Sequence, residues 1–181
     1  MLTVSQTFLS PEKIVKHLKL EEGDHVADFG AGHGFFTVPM SRIVGGDGKI
    51  YAIDIQKSTL DIIRTKAKIE HLLNIEPVWG NLEQIGGSKL KDGFVDLVLI
   101  ANILFQAEDK FTLLREAYRI LRHNGRLAII EWDASETKLG PSPDVRLPPD
   151  QTKSMVLQSG FSFDREIPAG AHHFGLMFIK K

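Results

Sequence analysis

Asp28-Phe29-Gly30-Ala31-Gly32-His33-Gly34 is the stretch on which the fold turns. Its glycines follow a short apolar run, His25 to Phe29, and precede an amphipathic stretch that starts near Phe35. A strand that feeds a helix through glycines turns sharply and leaves no Cβ between the backbone and an approaching ligand. In a doubly wound α/β sheet that turn sits at the carboxyl ends of the strands, beside a helix N-terminus. The spacing is GxGxG preceded by an acid. A dinucleotide fingerprint, GxGxxG, needs glycine where this chain has Phe35. Asp28 needs a cationic partner, which an ammonium group on the ligand supplies; a pyrophosphate would be repelled.

On either side, apolar runs alternate with amphipathic ones from Ser10 to Leu127, the pattern of βα units and a parallel sheet. Ser10-Pro11-Glu12 opens a helix expected to stop at Gly23. After the glycine turn the spacing predicts a helix from Phe35 to Val44, a strand from Lys49 to Ile53 and a helix from Ser58 to Leu73. Leu60, Ile62, Ile63, Ala67 and Ile69 are available for the buried face of that last helix. Strands are expected at Ile75 to Trp79, Val95 to Ile100 and Arg126 to Trp132. Between the latter two lies a helix, Glu108 to Arg122, closed by Asn124-Gly125 as a left-handed cap. Lys138 to Asp150, with Pro141, Pro143, Pro148 and Pro149, reads as a long ordered loop. A helix from Gln151 to Ser159 and a terminal antiparallel hairpin, Phe161 to Ile167 and His173 to Ile179, complete the chain. No repeat or linker divides residues 1–181, so a single domain is expected.

Composition narrows the function classes. The chain has 181 residues, 43% hydrophobic and 25% charged, with a formal net charge of -1. That charge provides no global electrostatic footprint for nucleic acid. The absence of cysteine removes disulfides, thiolate nucleophiles and Cys-ligated zinc. No His, Asp and Glu cluster has metal-ligand spacing. Met1 to Ser10 lacks the basic start and apolar core of a signal peptide, and no apolar run approaches the roughly 20 residues of a membrane span. A cytoplasmic location is expected.

Three further strand ends carry chemistry. Asp54, followed by Ile55, ends the second strand, where a carboxylate accepts hydrogen bonds from both hydroxyls of a ribose. Gly80-Asn81-Leu82 follows the third strand; there a side-chain amide reads an adenine edge while Leu82 packs on the ring. Asn102, after the fourth strand, stands beside the reactive end of such a ligand.

With these residues in view, the chain resembles the class I S-adenosylmethionine-dependent methyltransferases, above all the ubiquinone/menaquinone biosynthesis group. The resemblance rests on Val26 to Gly34, Tyr51 to Ile55, Asp96 to Ile100 and Leu121 to Leu127. It implies a Rossmann-like, mostly parallel seven-stranded sheet with the antiparallel hairpin at its end. It also implies S-adenosylmethionine as cofactor: Asp28, Gly30, Ala31, Gly32 and His33 around the methionine part, Asp54 and Ile55 at the ribose, Asn81 and Leu82 at the adenine, and Asn102 near the methionine end. Where the family often carries Asp, this chain has Asn81, and the substrate motifs of the quinone enzymes are not evident.

A small-molecule acceptor is therefore expected, with methyl transfer by in-line displacement. Phe8, Gln106, Trp132 and Arg146 are candidates for its site, the N-terminal segment and the proline-rich loop closing over it and Arg146 reaching an anionic group. Glu131-Trp132-Asp133 borders the ligand crevice by its place at a strand end, where helix-capping and surface roles outweigh a catalytic one. His172 and His173, being adjacent, face opposite sides of a strand and read as a surface pair. The residues assign no general base, and methyl transfer needs one only if the nucleophile must lose a proton. Three alternatives stay open: a non-catalytic binding protein for the same cofactor, an RNA methyltransferase, and a nicotinamide-dependent reductase. Neither the acceptor nor the oligomeric state is legible.

Overall fold

The computed structural model describes residues 9–135 and 139–181. One seven-stranded sheet organises them: β1 (His25–Phe29), β2 (Lys49–Asp54), β3 (Ile75–Trp79), β4 (Val95–Ala101), β5 (Leu121–Trp132), β6 (Phe161–Ile167) and β7 (His173–Lys180). The spatial order is β3-β2-β1-β4-β5-β7-β6. The first five strands are mutually parallel, and β7 runs antiparallel to both β5 and β6. The chain winds outward from β1 to β3, then returns to lay β4 on the other side of β1. That reversal places the crevice of a doubly wound sheet above the carboxyl ends of β1 and β4.

Alternation along the strands builds two cores. Val26, Ile50, Leu97, Leu99, Ala128 and Ile130 face α1 (Pro11–Ile14) and α2 (Thr37–Val44), meeting Ile14, Met40 and Val44. Ala27, Phe29, Val98, Ile100, Leu127 and Ile129 face the opposite way, where α4 (Lys110–Ile120) supplies Leu113, Leu114 and Ala117 and α5 (Pro149–Gln158) supplies Val156. Both faces of the parallel strands are covered, so β4 is apolar almost throughout.

Helix ends depart from the sequence reading. The first helix tightens after Ile14 into a 3-10 turn, Val15–Leu18, and stops at left-handed Lys19 well before Gly23. Arg126 of β5 takes the carbonyls of Leu18 and Lys19, satisfying the groups that another turn of helix would have used. α2 starts at Thr37 rather than Phe35, because Gly34 and Phe35 belong to the turn. α3 (Lys57–Ile69) ends four residues early and buries Leu60 and Ile63 only; Ile62 and Ile69 are exposed. α4 ends at Ile120, since Leu121 is already extended and pairs with Val95. Asn124 does adopt the left-handed conformation, but inside an irregular segment of β5 that shifts the register from Leu121 to Arg126. α5 begins at Pro149, and the proline-rich loop contains a 3-10 turn, Pro143–Val145. Among the described residues no helix is long and apolar enough to cross a membrane.

Candidate functional site

The glycine turn is pinned to β2 by its own backbone. The N–H groups of Gly30 and Ala31 both donate to the carbonyl of Ile53, at 2.8 and 3.1 Å. Gly30 is at φ +68, and a Cβ there would lie 2.5 Å from Ile103 Cγ2. Only glycine lets this turn pass so close to the segment after β4. Gly32, at φ +50, points its N–H across to β2, where it donates to Asp54 Oδ2 at 2.9 Å. Asp54 Oδ1 accepts from the N–H of Gln56 at 2.8 Å. Two amides thus clamp one carboxylate at the end of β2.

Beside this clamp lies a cleft of about 470 Å³, within the range of small-ligand sites. Gly30, Gly32, Asp54, Ile55, Asn81, Leu82, Asn102 and Gln106 line it, so the strand-end residues picked out in the sequence converge on one cavity. Asn81 Oδ1 accepts from the N–H of Glu83 at 3.0 Å, which turns the chain and holds Leu82 at the wall. Ile55 stands at the exposed rim, and its carbonyl accepts the indole N–H of Trp79 at 2.9 Å. Asn102 is left-handed, φ +57, with its N–H on the carbonyl of Ile130 at 2.9 Å. Its Oδ1 is buried and has no hydrogen-bond partner among the described residues. Asp54 and Glu83 give the wall acidic character, and no Lys, Arg or His is among the described residues that line it.

Other expected residues stand elsewhere. Asp28 lies under the glycine turn, 2% exposed, and does not line the cleft. In place of an ammonium it has the Thr37 hydroxyl, which donates to Oδ2 at 2.6 Å. Burial pushes the Asp28 carboxyl up to about 7, against the pull of Thr37, and nearby Asp54 adds to the rise. Ala31 packs into a small cluster with Ala52, Leu60 and Ile63. His33 is exposed and does not line the cleft; its carbonyl accepts from Lys66 Nζ at 2.7 Å.

Arg146 departs furthest from expectation. Its guanidinium is buried and donates to the carbonyls of Pro141, Asp133, Ser135 and Leu139, between 2.8 and 3.3 Å. It staples the proline-rich loop together from inside rather than reaching into the cleft. Trp132 is also off the cleft wall, with Arg146 on its ring and His173 stacked on it at 4.1 Å between centroids. His173 is buried rather than part of a surface pair, and burial holds its imidazole below the usual range. His172 stays partly exposed and meets the Ser135 hydroxyl at 2.8 Å. Phe8 lies outside the described residues.

Sequence reasoning gave no role of their own to Gln56, Gly80, Ala101 and Ile103, which stand within its strand-end motifs, and missed Thr59, Glu83, Ala107 and Leu113; all eight line the cleft. Most are chain neighbours of residues it did pick, so extending each strand-end motif by a few residues would have found them. Leu113 comes from α4, and nothing local marks it.

Amide-clamped Asp54 beside a glycine turn, at the reversal of a β3-β2-β1-β4-β5-β7-β6 sheet, defines the class I S-adenosylmethionine-dependent methyltransferase fold. Residues 27–129, more than half of the chain, match the family described as "Methyltransferase domain", and the chain belongs to that family. It is 33% identical over 111 residues, 61% of its length, to the "Ubiquinone/menaquinone biosynthesis C-methyltransferase UbiE" of Vibrio campbellii. It is 28% identical over 120 residues, 66% of its length, to a "Demethylmenaquinone methyltransferase" of Geobacillus. The chain spans about half the length of these curated relatives, 42% of the first and 50% of the second. Among solved structures, that of a SAM-dependent methyltransferase from Aquifex aeolicus matches with a TM-score of 0.88 and 29% identity, covering 96% of this chain and 91% of its own.

The cleft fits the cofactor of this class on its own features. An acidic wall suits a cationic sulfonium. The Gly30 turn packs against Ile103 at the cleft wall, where any Cβ would collide, and the Asn102 Oδ1, without a partner among the described residues, is an acceptor awaiting a donor.

Proposed function

We propose that this chain transfers a methyl group from S-adenosylmethionine to a small-molecule acceptor by in-line displacement. The observation that carries the reading is the Asp54 carboxylate, fixed by the N–H groups of Gly32 and Gln56 at the mouth of the cleft. Each amide takes one oxygen, leaving further lone pairs for a pair of ribose hydroxyls. Asn81 and Leu82 would hold the adenine, Ile55 its outer face, Gly30 and Gly32 the backbone of the methionine part, and Asn102 Oδ1 an ammonium donor. Asp28, off the cleft wall, would support the turn from below rather than meet that ammonium directly.

When bound, the cofactor supplies an electrophilic methyl group with its leaving group already attached. The task left to the protein is alignment, with the reacting atoms about 3 Å apart. Ile103, Gln106 and Ala107 form the wall on the Asn102 side and would orient the acceptor. One curated relative is named for ubiquinone/menaquinone biosynthesis and C-methylation and the other for demethylmenaquinone, which supports trying phenols and quinols first as acceptors, with amines next. A small molecule rather than nucleic acid accords with the near-neutral charge. One domain and a cytoplasmic location belong to the same proposal.

The test is transfer of a labelled methyl group from S-adenosylmethionine across a panel of phenols, quinols and amines. Turnover with a member of the panel, abolished by Asp54→Ala, is the expected result. Product binding without turnover on any member would replace catalysis with a binding role.

A further inference from the structure

One buried charge has no part in the site as described so far. Along β5, Leu127, Ile129 and Glu131 point to the face that α4 covers, so an aliphatic row ends on a carboxylate that is 1% exposed. Among the described residues no Lys or Arg forms an ion pair with it, a costly arrangement for a buried acid. What meets it is backbone. The N–H of Leu104, flanked in the chain by those of Ile103 and Phe105, donates to Oε1 at 2.7 Å, while Oε2 is buried with no hydrogen-bond partner among the described residues.

Those amides open a single turn that the N–H groups of Gln106 and Ala107 close onto the carbonyl of Ile103, at 3.2 and 3.1 Å. The first N–H groups of such a turn have no partner within it, and Glu131 caps them from below. The turn's other side is the cleft. Ile103, Gln106 and Ala107 line it, Ile103 sits where a Cβ on Gly30 would collide, and Asn102 enters the turn left-handed. Glu131 itself does not line the cleft.

We propose that Glu131 is a positioning residue: by capping the turn Ile103–Ala107 it sets the reacting end of the cleft and leaves the nucleoside end untouched. The nucleoside end is held separately, by Asp54 and Asn81 at the ends of β2 and β3. The inference rests on the cofactor reading above, and the test separates the two.

The experiment is calorimetric titration with S-adenosylhomocysteine and, in parallel, with adenosine, which lacks the amino-acid end. In Glu131→Ala, affinity for S-adenosylhomocysteine is expected to fall by about tenfold or more while adenosine binds within about twofold of the parent. Glu131→Gln keeps an acceptor for the Leu104 N–H and is expected to restore the affinity to within about threefold. Glu131→Asp keeps the charge but draws the carboxylate back by one methylene, so it gives the same split should the alanine variant not fold. Equal losses for both ligands, or no loss for either in the folded variants, overturn the positioning role. Failure of the parent protein to bind either compound overturns the cofactor reading and this inference with it.

Discussion

Individual carboxylates show how placement divides identical chemistry. Asp54 is held by two amides at the cleft, whereas Asp28, on the adjacent strand β1, is sealed below the turn on Thr37. Burial pushes the carboxyls of Asp28 and Glu131 up to about 7 from ordinary values of 3.8 and 4.5. Between the ordinary and raised values the folded chain holds more protons than the unfolded one, so both groups lose stability as pH rises through that window. Glu116 works the other way: burial raises its carboxyl, but Arg119, Ser88 and the Gly86 N–H outweigh burial and hold it at about 2. Its contribution is complete above its ordinary value and lost as pH falls toward 2. The ligand-free protein is therefore expected to melt at its highest temperature at about pH 5 and at a lower one by about pH 7.5, these two groups costing it stability on the order of a few kcal/mol. Glu131→Gln should flatten part of that decline. Thermal melts across this range check it, and a melting temperature that climbs steadily from pH 5 to 7.5 would contradict it. Sequence reading brought Asp54 and Asn102 to the cleft because strand ends meet there. It misplaced Arg146 because four carbonyls of the preceding loop, gathered by a backbone path that no spacing reveals, consume the guanidinium.

Elements explain why the nucleoside side of the cleft keeps its shape. The segment between β3 and β4 carries Asn81 and Leu82 but has no helix of its own. It is tied to α4 by the fully buried Glu116, which accepts from the N–H of Gly86 at 2.8 Å, the N–H of Ser88 at 3.0 Å and the Ser88 hydroxyl at 2.5 Å, and pairs with Arg119. The fold is close there too: a Cβ on Gly87 would lie 1.7 Å from the carbonyl oxygen of Asn81. Glu116→Ala leaves two amides and the Ser88 hydroxyl without their acceptor and leaves Arg119 with Asp92 as its remaining carboxylate, and the expected cost is on the order of 3 kcal/mol. Differential scanning calorimetry should show a melting temperature lower by roughly 6–12 °C, with weaker adenosine binding; an unchanged melting temperature would remove the tether from the account. The strands were readable because apolar runs of this length have little alternative, and β1, β3 and β6 match their expected spans. Helix ends were not, since each is decided by a partner far along the chain: Arg126 for the first helix and Val95 for α4. The exposure of Ile62 and Ile69 likewise depends on where α3 meets the sheet, because helical periodicity admits more than one face.

For the whole molecule, the winding of the sheet gathers residues from four strand ends into one acidic cleft. β1 supplies the glycine turn, β2 the clamped acid, β3 the loop with Asn81 and Leu82 and β4 the turn capped by Glu131. The order of motifs along the chain made this convergence legible, while the wall contributed by α4 through Leu113 emerges only when the layers pack. Fold and family point to one cofactor, and the central claim is that Asp54 holds its ribose. The most direct measurement is calorimetric titration of the protein with S-adenosylhomocysteine, with NADH as the control ligand and Asp54→Ala in parallel. The account predicts micromolar binding of S-adenosylhomocysteine, no binding of NADH, and a loss of about thirtyfold or more in the variant, in line with a charged hydrogen-bonding group removed from a buried site. Binding of NADH in place of S-adenosylhomocysteine, or an affinity indifferent to Asp54→Ala, would contradict it.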